Sequence, residues 1–352
     1  MTRGRGAFLA LLAAGAFGAS SPILKRFLGD VPPLALSGLL YLGAGAAATL
    51  AAVARASPAE ARLRGGDFAW LAAGIASGGV LAPALLLVGL ARTTATSASL
   101  LLNAELPLTV LVAAVVFREA VGRRVALATL LVAAGGAALA LEPAHAGAAA
   151  PGRGALLVAG ACVAWALENN LTRRIADRDP FAIVRWKGLA GGITSLSLAA
   201  ATGTLALPDA GRFGLALLVG GVSYGASIVL YTYAQRELGA ARTAALYGLG
   251  PFLGAALALG LGDAPSAPTA LGAVAMAGGA WLLLTERHVH RHVHGAFVHE
   301  HRHVHDEHHR HAHDGSEGPE PHTHPHVHEP LEHEHEHAPD LHHGHGHEDR
   351  GG

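Results

Sequence analysis

The chain alternates between long apolar stretches and short polar breaks. Ten stretches, at about residues 7–27, 33–54, 68–90, 97–117, 124–142, 154–173, 181–202, 213–234, 240–261 and 267–285, approach the roughly 20 residues that a helix needs to cross about 30 Å of hydrocarbon. The breaks carry proline, glycine and charge, as in Gly29-Asp30-Val31-Pro32-Pro33, Arg118-Glu119, Asp177-Arg178-Asp179-Pro180 and Gly262-Asp263-Ala264-Pro265. Short connections of this kind predict one compact all-α membrane bundle of ten transmembrane helices. From residue 286 the pattern changes to a polar tract with few apolar anchors, which predicts a disordered tail over 286–352.

Within the bundle the pattern occurs twice. Gly6-Ala7…Phe17…Lys25-Arg26 matches Gly154-Ala155…Trp165…Arg173-Arg174 at one constant offset, and Leu106-Pro107…Glu119 matches Gly250-Pro251…Asp263. The halves are 6–142 and 154–285, so the first segment is the partner of the sixth and is expected to be retained, although Arg3 and Arg5 ahead of an apolar core also resemble a signal peptide. A unit of five helices is odd, so the two halves are expected to lie in the membrane with opposite orientation, as in the inverted repeats of secondary transporters. Arg3, Arg5, Arg55, Arg62, Arg64, Arg118, Arg123 and Arg124 fall on one side, against few cations on the other. Positive charge favours the cytoplasm, so both termini are expected there, in a bacterial-type inner membrane.

The composition agrees: 51% of residues are hydrophobic, 14% are charged, and mean hydropathy is +0.36, too apolar for a soluble protein of this size. A net charge of −1 averages two unlike regions and says little about partners. Lipid and a small solute are expected, with no nucleic acid and room for a homodimer. The lone Cys162 excludes a disulfide within the chain.

Polar groups inside the apolar segments are the candidate transport residues, because an ionisable side chain in hydrocarbon is costly unless it is paired or used. In the fourth segment, Asn103 and Glu105 precede Pro107, which cannot donate to the carbonyl of Asn103. Three oxygen-bearing groups within one turn suit a cation or a proton. In the sixth segment, Glu168, Asn169 and Asn170 sit just before Arg173-Arg174, and Lys187 in the seventh falls at a similar depth. Two readings of Glu168 and Lys187 remain open, an ion pair that fixes helix packing and a proton-sensitive charge displaced by an incoming cation. Small residues, including Gly74, Ser77, Gly78 and Gly79 and also Gly188, Gly191 and Gly192, are expected to serve close helix packing.

Catalytic patterns are discarded. Gly221-Val222-Ser223-Tyr224-Gly225 has GxSxG spacing but lies within an apolar helix, and no histidine within the segments offers a base. The HExxH matches in the tail arise from composition, so no enzyme is expected.

The tail holds all but one of the 24 histidines. They fall in groups: His288, His290, His292 and His294, then His299, His301, His303 and His305, then His308, His309, His311 and His313. His322, His324, His326 and His328 follow, then His333, His335 and His337, and last His342, His343, His345 and His347. Neutral imidazoles two apart on a pliable chain suit nickel, cobalt or zinc, so metal binding is expected here and no organic cofactor elsewhere.

The doubled five-helix pattern with Arg118-Glu119 after the fourth segment resembles the EamA domains of the drug/metabolite transporter superfamily. Leu101-Leu102-Asn103-Ala104-Glu105, with Glu168-Asn169-Asn170-Leu171-Thr172-Arg173 and Lys187-Gly188, is similar to one bacterial branch in which the sixth-helix acid is usually aspartate. Here it is Glu168, one methylene longer. The resemblance implies a transporter of metabolites, amino acids or drugs. Some members accompany nickel and cobalt resistance, and with the tail this implies efflux of nickel or cobalt by proton exchange. A metabolite exporter with a metal-sensing tail and a membrane-anchored metal store are the alternatives.

Overall fold

A computed structural model describes residues 3–27, 31–54, 61–117, 122–141, 152–175, 178–238 and 240–285, together with 288–294, 297–303, 322–328 and 331–337 in the tail. Within 3–285 the described residues form a helical bundle whose helices fall on the apolar stretches. Helix α1 runs Arg3–Gly18 and continues as Ser20–Phe27, and α2 is Pro33–Ala54. Helix α3 is Asp67–Gly74, a π-helical stretch Ile75–Leu81, then Ala82–Leu90. Helix α4 is Ala95–Leu101, a 3-10 turn Leu102–Ala104, then Glu105–Phe117, and α5 is Arg123–Ala140. The second half follows with α6 (Arg153–Thr172, ending in the 3-10 turn Arg173–Ile175), α7 (Pro180–Ala201) and α8 (Ala210–Val219, the π-helical Gly220–Ala226, Ser227–Leu238). Helix α9 is Ala240–Tyr247 and Gly250–Gly260, and α10 is Ala267–Leu284.

Among the described residues, eight of these helices are long and apolar enough to cross a membrane; α7, which carries Arg185 and Lys187, and the shorter α10 lie outside that set. Leu50, Val53, Val115, Leu130, Val274 and Trp281 are exposed, the outward apolar surface of a protein solvated by lipid.

The helices pair in a regular way. α1 packs on α8 and α9, as α6 packs on α3 and α4; α2 packs on α7 and α5 on α10. α2 also lies along the π-helical stretch of α8, and α7 along that of α3. Glycine permits these approaches, as expected: a Cβ on Gly192 would lie 2.8 Å from the carbonyl oxygen of Gly38, and one on Gly45 2.7 Å from the amide of Leu189.

Polar ties close both ends of the bundle. At one, Arg178 contacts Asp67 at 2.8 Å and Arg5 pairs with Glu237 at 3.6 Å. At the other, Lys25 donates to the carbonyls of Leu90 (2.6 Å) and Thr93 (2.7 Å), and Asp263 accepts from the amide and hydroxyl of Thr96, each at 2.9 Å.

In the tail, β1 (His288–His294) pairs antiparallel with β4 (Leu331–His337), and β2 (Phe297–His303) with β3 (His322–His328). In these four stretches the alternation of histidine with other residues has the period of a strand. The other tail histidines lie outside the described residues.

Candidate functional site

Among the candidate residues, Glu105 and Asn169 meet between α4 and α6, and Glu168 and Lys187 meet between α6 and α7 beside α3. Glu105 begins the second part of α4, directly after the 3-10 turn, and is half-buried. Its Oε1 accepts from Asn169 Nδ2 at 3.0 Å. Asn169 also reaches the hydroxyl of Thr109 at 3.3 Å, and that hydroxyl donates to the carbonyl of Glu105 at 2.8 Å. Glu105, Thr109 and Asn169 thus form one hydrogen-bonded group across two helices.

Glu168 is buried on the face of α6 toward α3. Its Oε1 lies 2.5 Å from Lys187 Nζ, which is also 5.9 Å from the ring of Tyr41. The two side chains are thus paired. Thr172 Oγ1 donates to the backbone carbonyl of Glu168 at 2.9 Å. Gly78, in the π-helical stretch of α3, faces this carboxylate: the three atoms nearest to a Cβ built at Gly78 all belong to Glu168. Gly78 therefore makes room for a side chain, whereas sequence alone suggested helix packing.

The carbonyl of Gly78 receives two side-chain donors, Tyr41 Oη at 2.7 Å and Trp165 Nε1 at 3.1 Å. From Tyr41 a chain of aromatic contacts crosses into the second half. Tyr41 and Tyr224 are 5.9 Å apart between ring centres, Tyr224 and Phe17 6.1 Å, Phe17 and Tyr247 5.7 Å, and Tyr247 and Tyr231 5.0 Å.

The grouping differs in part from the one expected. Asn169 serves Glu105, not the neighbouring Glu168. Asn103 turns its Nδ2 back to the carbonyl of Leu100 at 2.9 Å, and Asn170 donates to the carbonyls of Thr109 (3.0 Å) and Ala166 (2.8 Å). Both amides tie backbone; Pro107 is buried at the break that positions Glu105. Sequence reasoning passed over Tyr41, Thr109, Tyr224, Tyr231 and Tyr247. A phenol in an apolar helix must find a partner for its hydroxyl, and four of the chain's five tyrosines meet here, so tyrosines within apolar segments were the available signal. Among the described residues no group of three or more His, Cys, Asp or Glu is placed to hold a metal ion. The tail histidines, His288 to His347, contribute no described side chain to this site.

The profile of the EamA-like transporter family matches twice, over residues 4–141 and 152–285. The chain belongs to the EamA-like transporter family. It is 30% identical over 258 residues to a Methanothermobacter thermautotrophicus (strain Delta H) protein named "Uncharacterized transporter", a match spanning 69% of this chain and 75% of that one. It also resembles a solved structure described as "Crystal structure of protein", with a TM-score of 0.56 and 23% identity, covering 80% of this chain and 96% of that chain. The last likeness concerns fold alone. As an EamA-family protein, the chain is a multi-pass membrane transporter of a small substrate, with lipid as its solvent.

Proposed function

We propose that this EamA-family chain is a secondary transporter that binds a small organic solute bearing an amine between its two five-helix halves. The observation that carries the reading is the setting of Glu105. One of its oxygens accepts from Asn169, no further donor reaches it among the described residues, and a chain of aromatic rings runs through the same bundle from Tyr41 to Tyr231. An ammonium group satisfies both a carboxylate and aromatic faces, with attraction from each. Glu168 is already matched by Lys187 and serves as the proton- or substrate-responsive charge.

Further parts of the proposal rest on pattern. The two family matches and the exchange-symmetric packing of α1–α5 with α6–α10 support an inverted repeat of ten crossings with the solute between the halves. The arginine-rich loops support cytoplasmic termini, and efflux driven by protons completes the proposal.

A second reading is export of nickel or cobalt handed on by the tail, and the histidines of the tail favour it. The oxygen-only donors at the centre, one carboxylate of which is neutralised by lysine, fit such ions poorly. In that case the tail binds metal as a buffer or sensor.

Transport currents from full-length protein in proteoliposomes, with phenethylamine, putrescine and nickel chloride as separate probes, distinguish the two. Currents with an amine that disappear in Glu105→Gln support the first reading. Currents with nickel alone, weakened by truncation after Arg287, would replace it with the second.

A further inference from the structure

We infer that Gly78 is a positioning residue for Glu168: it provides a side-chain-free socket in α3 for the carboxylate, and Tyr41 and Trp165 hold that socket in shape. The inference rests on the transporter reading only in giving Glu168 a role in transport.

The geometry begins with a proline. At the end of the π-helical stretch Ala82 donates its N–H to the carbonyl of Ser77, five residues back. The next donor in that register would be residue 83, and Pro83 has no N–H. The carbonyl of Gly78 is thereby left without a backbone partner in a low-dielectric interior, where an unmet acceptor is costly. Tyr41 from α2 and Trp165 from α6 supply the missing donors. Trp165 lies one turn before Glu168 on the same helix, so its bond to Gly78 also sets the height of Glu168 against α3. With the carbonyl engaged on both sides, the α-carbon of Gly78 faces Glu168, and its missing side chain is the space that the Oε2 and Cδ atoms approach. The other carboxylate oxygen is then free to meet Lys187. Gly79 completes the wall, with a Cβ position 3.5 Å from Lys187 Cγ.

A glycine that merely lets two helices approach would be damaged by a methyl group whatever stands at 168. A socket is damaged only while the carboxylate needs it. The chain's two lysines, Lys25 and Lys187, allow a direct readout, because Lys25 is held by backbone carbonyls at an end of the bundle and serves as internal reference. Full-length protein in detergent is treated with acetic anhydride, and acetylation of each lysine is measured by mass spectrometry. Gly78→Ala is expected to raise the Lys187-to-Lys25 labelling ratio at least fivefold, as is Glu168→Ala. Gly78→Ala added to Glu168→Ala is expected to raise it no further. Tyr41→Phe, which leaves the backbone unencumbered, is expected to raise it about twofold and covers the case in which Gly78→Ala does not stay monodisperse. An unchanged ratio in both Gly78→Ala and Tyr41→Phe, or independent and multiplying effects of Gly78→Ala and Glu168→Ala, overturns the inference. Labelling needs no solute, so its failure is separable from a failure of the transport proposal.

Discussion

Asn169 on α6 donates to Glu105 on α4 at 3.0 Å, which joins the fourth helix of one family match to the first helix of the other through a single hydrogen bond to a carboxylate. Because the same amide also reaches Thr109, its loss leaves two groups on α4 without their shared partner.

Asn169→Ala is therefore expected to destabilise the protein by about 2 kcal/mol, in the range for hydrogen bonds to charged groups. Asn169→Asp should be worse, since it sets two carboxylates together. Thermal unfolding of the purified protein checks both.

The Glu168–Lys187 pair gives a sharper contrast. Lys187→Met leaves Glu168 buried without its partner and is expected to cost about 3 kcal/mol or more, whereas Glu168→Gln together with Lys187→Met removes both charges and should recover most of that loss. A double mutant no more stable than Lys187→Met alone would show that the pair is not the source of the effect.

Close backbone contact makes a third expectation. A Cβ on Gly220 would press on the carbonyl of Leu40, and one on Gly43 on the carbonyl of Leu217, both backbone atoms. Gly220→Ala and Gly43→Ala are each expected to cost about 1–3 kcal/mol, the overpacking range, and to be non-additive because they strain the same α2–α8 contact. Additive losses in unfolding experiments would mean that the two sites relax separately.

Outside the apolar segments, Asp209 caps α8 by accepting from the amide of Arg212 at 3.0 Å. That hydrogen bond, with the Arg212 charge beside it, holds the carboxyl below the usual aspartate range. A depressed value in the folded state means that the stabilisation is present at neutral pH and is lost as pH falls through the folded value. Asp209→Asn keeps a cap without a titrating group. The wild-type advantage over Asp209→Asn should therefore shrink on acidification below pH ~4, the ordinary range of the group; an advantage independent of pH would contradict this.

The helices were legible because hydrocarbon demands long apolar runs, and Pro33, Pro180 and Asp209 mark where such runs begin. Their interruptions were not. Neither π-helical stretch shows in the spacing of apolar residues, since Ile75–Leu81 and Gly220–Ala226 are as apolar as their flanks; only the partnering of Gly78 by Tyr41 and Trp165 reveals what the first is for. Glu105, Glu168 and Lys187 stood out as charges in apolar company. Which amide serves which acid depends on rotation about α6: Asn169 points toward α4 while its neighbour Glu168 points toward α3, a distinction of about 100° that adjacency in the chain conceals. The tyrosines escaped notice because Tyr41, Tyr224 with Tyr231, and Tyr247 lie on three different helices and meet only across them.

The glycine contact between α2 and α7 has a mechanical consequence. Gly38, Gly45, Gly188 and Gly192 let the two backbones approach directly, with the side chains of Leu42, Leu189 and Leu196 closing around the contact. Two rods in such contact resist translation along their length but can roll about the line where they touch. We expect any rocking of one half on the other to turn about this seam, as on an axle.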